Sequence, residues 1–214
     1  MVPGLMLGLL VLLALWLFLA PAEARLGNLV KLVYVHGALV WTGLLAFSLA
    51  GVLGLVALGS RHLLGAPEGA KHWYRGTEAT SLAAIIVWII YAISSMAVTG
   101  LTWGQLIAWN EPRVRATGLI LVAAMVLFVV ARLVDHWDFT AWVSVLVGIV
   151  SWVVVRQAGV IRHPVDPIGT SGSASIQGFY LLIELTVAGL AACLVFWLWI
   201  RAELRGSADK ADPA

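Results

Sequence analysis

The chain has 214 residues, of which 62% are apolar and only 11% are charged, with a formal net charge of +2. Soluble domains carry about a quarter charged residues, so this composition excludes a soluble globular enzyme and a disordered tail protein. The small net charge, with no long basic cluster, gives no argument for nucleic acid as a partner.

What remains is an all-α polytopic integral membrane protein in a lipid bilayer. The apolar positions suffice for about five to seven spans of roughly 20 residues each. Six apolar segments are legible, near 3–20, 33–59, 80–102, 116–134, 140–156 and 176–200. They predict a bundle of six transmembrane helices.

The first segment ends in Pro21-Ala22-Glu23-Ala24, which has the small-residue pattern of a leader cleavage site. Against cleavage, Met1-Val2-Pro3-Gly4 lacks a positive side chain. Residues 1–24 are therefore read as a first transmembrane helix or signal-anchor. The membrane domain is placed at 25–201 and a short cytoplasmic tail at 202–214.

With the N-terminus inside, connections 21–32, 103–115 and 157–175 face out, and 60–79 and 135–139 face in. Basic residues then divide almost evenly. Arg61, Lys71, Arg75, Arg132, Arg201, Arg205 and Lys210 lie inside, and Arg25, Lys31, Arg113, Arg115, Arg156 and Arg162 lie outside. The positive-inside rule barely votes on such a split. An outer face that handles something anionic would also produce it.

The second segment carries His36 about one turn from its outer end and small residues at Ala46, Ala50 and Gly54. That spacing lets helices approach closely in lipid. The inner connection after it holds His62 and His72. The third segment leads into an outer connection with Trp103, Gly104, Trp109, Arg113 and Arg115. Tryptophan offers a flat apolar face for a porphyrin, and arginine makes charge-assisted bonds to carboxylates such as propionates. The same residues also suit an interfacial aromatic belt with flanking cations.

The short turn Asp135, His136, Asp138 reads as solvated. After the fifth segment, His163 precedes Pro164, which disfavours helix there and presents the imidazole from an extended or turn backbone. The sixth segment contains Glu184 at membrane depth. A carboxylate there is costly and faces a bundle interior, where it would either tune a metal site from its outer shell or bond to hydroxyls of neighbouring helices.

The single cysteine, Cys193, forms no internal disulfide, and no C-x-x-C-H attaches a heme covalently. No Ser/His/Asp arrangement or H-E-x-x-H points to a hydrolase. Two outer histidines, His36 and His163, can supply a bis-imidazole pair, which suits heme iron. Each is also a common kind of interfacial histidine.

The stretches Tyr34-Val35-His36, Val98 to Gly104 leading to Trp109-Asn110, and Arg162-His163-Pro164 together resemble a known family. It is the tryptophan-rich, heme-handling membrane proteins of cytochrome c biogenesis, and within them heme exporter protein C of the cytochrome c maturation system. That family has six spans and an outer segment of the form W-G-x-x-W-x-W-D between two outer histidines. The resemblance covers nearly all of residues 28–200. Asn110 stands where the family has aspartate, and Leu106 and Ile107 replace aromatic positions unless the connection is shortened.

The resemblance implies non-covalent heme b at the outer membrane face, with His36 and His163 as axial ligands. Trp103, Gly104 and Trp109 would form its platform, and Arg113 and Arg115 would meet its propionates. It implies a delivery or transport protein rather than an enzyme. The implied location is the plasma membrane, and the implied partners are a periplasmic heme chaperone or apocytochrome c and other membrane subunits of that system. The competing readings are a b-type heme anchor for electron transfer and a cofactor-free structural or transport subunit.

Overall fold

Six helices account for the apolar segments in a computed structural model, which describes residues 1–162 and 168–211, side chains of 206–211 excepted. They are α1 (Val2–Leu19), α2 (Val30–His62), α3 (Pro67–Trp103), α4 (Pro112–Val134), α5 (Trp137–Gln157) and α6 (Ala174–Ala211). Each is long and apolar enough to cross a bilayer. Among the described residues there is no strand, only an isolated bridge between Glu23 and Gly27. The protein is a multi-pass, all-α membrane protein.

Large apolar side chains on the outward faces are exposed on every helix, among them Phe18, Val52, Ile93, Leu119, Leu146 and Leu185. In water such a surface would aggregate. In lipid it is the expected one, because the bilayer core is as apolar as leucine.

Packing inside the bundle therefore depends on close fit. α2 is the central element and packs against α3, α5 and α6, while α1 packs mainly on α6. Gly51 and Gly54 of α2 lie against the α5 backbone, the close approach that small residues permit. A Cβ on Gly54 would stand 2.9 Å from the Ala141 carbonyl oxygen, and one on Gly148 would stand 3.0 Å from that of Phe47. Gly54→Leu is expected to destabilise the bundle by about 1–3 kcal/mol, the usual cost of overpacking. The check is a lower unfolding midpoint in detergent, with no change expected for Gly118→Leu, whose Cβ would meet open space.

The helices are longer than the apolar segments, and this corrects the expected connections. α3 begins at Pro67, not near residue 80, so His72 and Arg75 lie on a helix and the inner connection shrinks to residues 63–66. Its 37 residues span about 55 Å at 1.5 Å per residue, well beyond the roughly 30 Å hydrocarbon core. Hydropathy marks where lipid begins, not where a helix begins. Pro67 at the first turn is compatible with a helix start, since its missing N–H needs no partner there. α4 likewise starts at Pro112, which moves Arg113 and Arg115 from the connection into its first turn. α6 extends through most of the expected tail.

These extensions join the helix ends away from the α1–α2, α3–α4 and α5–α6 connections. Asp138, expected in a solvated turn, lies in the first turn of α5. Its carboxylate pairs with Arg61 at 3.2 Å and with His62 at 2.9 Å, and accepts the Tyr74 hydroxyl. Beside it, Glu203 of α6 pairs with Arg75 at 2.6 Å and His72 at 2.8 Å of α3. Asp135 and His136 are exposed, as expected, whereas Asp138 is half-buried because the lengthened α2 brings Arg61 and His62, and α3 the Tyr74 hydroxyl, over the start of α5. At the opposite end, Glu23 shapes the α1–α2 connection by accepting the Leu26 and Arg25 N–H groups, both at 2.8 Å. Those bonds, Leu26 first and then Arg25, hold its carboxyl below the ordinary carboxylate range.

Candidate functional site

The end of the bundle that carries residues 20–29, 104–111, 158–162 and 168–173 opens into a cavity of about 900 Å³. That is the upper range for small-molecule and cofactor sites. Its walls come from the first half of α2, Tyr91 of α3, the start of α4, the end of α5, Ile168 and Gly169, and the start of α6. The body of the cavity is apolar and aromatic. Its polar side chains among the described residues include His36, Arg113, Thr117, Arg156 and Gln177, with the hydroxyls of Tyr91 and Tyr180.

His36 is buried in the α2 wall. Its Nδ1 lies 3.1 Å from Ser94 Oγ, and Ser94 Oγ donates its proton to the Tyr91 carbonyl at 2.7 Å. A hydroxyl has one proton, so Ser94 accepts from His36 and the imidazole carries its hydrogen on Nδ1. The lone pair then resides on Nε2, the tautomer in which a histidine ligates a metal through that nitrogen. The Tyr91 ring lies 4.9 Å from the His36 ring. Behind it stands Trp88, 4.7 Å away, and then Phe47, 5.7 Å from Trp88. Trp88 is fully buried and fixed by an Nε1–H bond of 3.1 Å to the Thr117 carbonyl. The His36 wall is thus backed by rigid core rather than by lipid.

On another wall, Trp41 and Trp152 meet at 5.8 Å, and Trp152 Nε1 donates to Ser48 Oγ at 2.7 Å. The Arg156 guanidinium stands 5.8 Å from the Trp152 ring centre, within cation–π reach. Tyr180 closes against the backbone at Gly37, where a Cβ would come within 3.1 Å of the tyrosine hydroxyl. A side chain there would require the Tyr180 ring to give way by a few tenths of an ångström.

Arg113 projects from the first turn of α4 into the lining. Its Nε is buried and has no hydrogen-bond partner among the described residues. A buried donor without an acceptor is costly, and this one borders a cavity. The arrangement is complete when an acceptor, preferably an anion, occupies that space.

Of the residues singled out from the sequence, His36 and Arg113 meet in this cavity. Trp103, Gly104, Trp109 and Arg115 are not among its lining residues. Trp103 is half-buried at the end of α3, while Trp109 and Arg115 are exposed. Gly104 ends α3 with a φ of 68°, the left-handed cap that favours glycine. His163 lies outside the described residues. Glu184 is half-buried on α6 and makes no hydrogen bond or ion pair among the described residues, so neither expected role for it is seen. Sequence reasoning missed Trp41, Tyr91, Ser94, Trp152 and Tyr180, whose relation to His36 is purely tertiary.

Neither a protein-family model nor a curated protein matches the chain.

Proposed function

We propose that the chain binds heme b without covalent attachment in this cavity and hands it on during cytochrome c maturation. The observation that supports this most is His36, a buried imidazole with its lone pair on Nε2, in the wall of a cofactor-sized aromatic cavity that also holds the unpartnered Nε of Arg113. Heme supplies an iron that takes imidazole nitrogen axially, a flat apolar macrocycle and propionate carboxylates.

The residues fit each part. His36 would hold the iron, with Ser94 fixing its tautomer. Trp41, Tyr91, Trp152 and Tyr180 would enclose the macrocycle. Arg113 and Arg156 would meet the propionates. His163 remains the proposed second ligand on the strength of the sequence. The exposed Trp109 and Arg115, beside the cavity in the chain, would meet the acceptor rather than the bound heme. The chain's own work is to hold and orient the cofactor and to exclude water from its inner side. The acceptor in this reading is a periplasmic heme chaperone or apocytochrome c, with other membrane subunits of the maturation system alongside. The cavity end faces out of the plasma membrane.

The test is the absorption spectrum of detergent-purified protein, oxidised and reduced, before and after hemin is added. A b-type spectrum that moves to an apo-heme-protein acceptor on mixing is expected. A protein with no Soret band even with excess hemin overturns the reading. A b-type spectrum that never transfers would instead make the protein a membrane cytochrome that keeps its heme for electron transfer.

A further inference from the structure

The cavity is not closed equally on all sides. α2 forms its back, α4 and α5 stand on one flank, and α6 stands on the other. α4 packs on α5, and their ends at the cavity are tied together. Glu111, with 2% of its surface exposed, reaches from the start of α4 and accepts the Arg162 N–H at 2.8 Å and the Ile161 N–H at 3.3 Å. α5 and α6 differ. Among the described residues they barely meet, and each packs on α2 instead.

Trp41 marks the gap between them. It stands one turn after Gly37, which meets Tyr180 of α6, and its ring meets Trp152 of α5 at 5.8 Å. It lines the cavity, yet it is 46% exposed. The exposure continues along α2 at Leu45, and along the flanking helices at Val153, next to Trp152, and Leu181, next to Tyr180. One ring therefore borders both the cavity and the surface that meets lipid. Trp152 lies about 8 Å inside the end of α5 and Tyr180 about 9 Å inside the start of α6, at 1.5 Å per residue. That is the depth of acyl chains, since one leaflet contributes about 15 Å of hydrocarbon.

Polar groups stand at the level above. Arg156 is one turn beyond Trp152 towards the end of α5, and Gln177 is one turn before Tyr180 towards the start of α6, and both line the cavity. Below them, Glu184 follows Gln177 and Tyr180 at the spacing that keeps all three on one face of α6. A carboxylate within a span belongs beside a cavity or a bundle interior rather than in lipid, and the face it shares here is the cavity's. The gap thus has a cation at headgroup level, aromatic rings at acyl level and an acidic group beneath.

We propose that the gap between α5 and α6 is a side entrance, through which the cavity exchanges a flat apolar ligand with an anionic end with the leaflet on the cavity side. This rests on the heme reading above, heme being a ligand of that form. Such a molecule leaves water for lipid for the reason that apolar side chains do, so the bilayer is where it is concentrated. Seated in the leaflet, it holds its anionic end at the headgroups and its flat body among the acyl chains. It then slides between α5 and α6 without turning over. The anionic end passes along Arg156, which attracts it, and the body passes from acyl chains to Trp41 and Trp152 without crossing water. Glu184 opposes the inverted approach, in which the ligand's carboxylates would enter at its level.

The experiment uses the full chain in lipid nanodiscs. The first readout needs no ligand. In discs of phosphatidylcholine brominated on its acyl chains, the emission that Trp41→Phe removes should lose most of its intensity. The emission that Trp88→Phe removes, from a fully buried ring, should not. The second readout is the rate of hemin uptake from hemin-loaded vesicles and of its release to apomyoglobin. Leu45→Trp and Leu181→Trp place a bulky ring at the gap from α2 and from α6, and neither leucine lines the cavity. Both should slow uptake and release by a similar factor, about tenfold, with hemin affinity unchanged, because an obstruction on a path raises the barrier in both directions. Val126→Trp, on the exposed face of α4, should behave as the parent.

Unquenched Trp41 emission, or parent-like rates in both tryptophan variants, overturns the side entrance. Weaker affinity at an unchanged uptake rate does so too, because the gap is then part of the site and not a path to it. A parent that takes up no hemin overturns the heme reading and the traffic assigned to the gap. The brominated discs would still report whether the gap is open to lipid, so the two failures are told apart.

Discussion

His36→Ala is expected to lower hemin affinity by more than about a hundredfold, because loss of an outer partner of a metal ligand alone costs about 10- to 100-fold. The His36 imidazole is held by more than its own helix. Ser94 fixes its tautomer, and Tyr91 lies against one face of the ring. Both remain when the imidazole is deleted, so the vacated space keeps the shape of an imidazole and an acceptor for its N–H. Free imidazole should therefore restore the Soret band of His36→Ala at millimolar concentration, while an amine of similar basicity should not. The controls are His62→Ala and His72→Ala. These histidines pair with Asp138 and Glu203 at the other end of the bundle. Their loss should lower the unfolding midpoint and leave hemin binding intact. Unchanged affinity in His36→Ala, or an equal loss in His62→Ala, would remove His36 from the ligand role.

The bundle was legible because its main determinants are local. Length and hydropathy give six spans. The small residues Ala46, Ala50 and Gly54 mark α2 as a helix that neighbours approach closely, and Gly54 does meet the α5 backbone. The helix ends were not legible from hydropathy. Residues 67–79 are polar enough to leave lipid but contain no second proline, and the helix continues through Gly69 and Gly76.

The site was legible in part. His36 and Arg113 stand out as polar residues flanking apolar runs, which is a local signal. Glu111 does not, since the groups it binds are backbone N–H groups 50 and 51 residues away that any sequence would supply. Trp41 and Trp152 read as two members of an aromatic-rich chain until α2 and α5 are brought together. A tryptophan-rich connection attracts attention for its composition. The cavity was built instead from single aromatic residues on four different helices, a pattern that no linear motif records.

The two ends of the bundle divide the work, and this bears on Arg113. At the other end Asp138 and Glu203 give Arg61 and Arg75 a carboxylate each. At the cavity the balance is different. Arg113 and Arg156 both line it, and among the described residues no carboxylate does. Arg113→Leu is therefore expected to weaken hemin binding by about 10- to 150-fold, the equivalent of the 1.5–3 kcal/mol typical of a hydrogen bond to a charged group. The loss should depend on the ligand's charge. Heme esterified at both propionates offers no anion, so the parent should bind it more weakly than hemin and Arg113→Leu should bind it about as well as the parent does. A leucine at 113 also removes the buried Nε donor that has no partner among the described residues, so the ligand-free variant should be at least as stable as the parent. Weaker hemin binding together with preserved stability separates a ligand-facing arginine from a structural one. If Arg113→Leu binds hemin and its diester with the same loss, the arginine shapes the cavity without reading the ligand's charge. If it binds both as the parent does, the anion meets a different cation, and Arg156 is the one that remains in the lining.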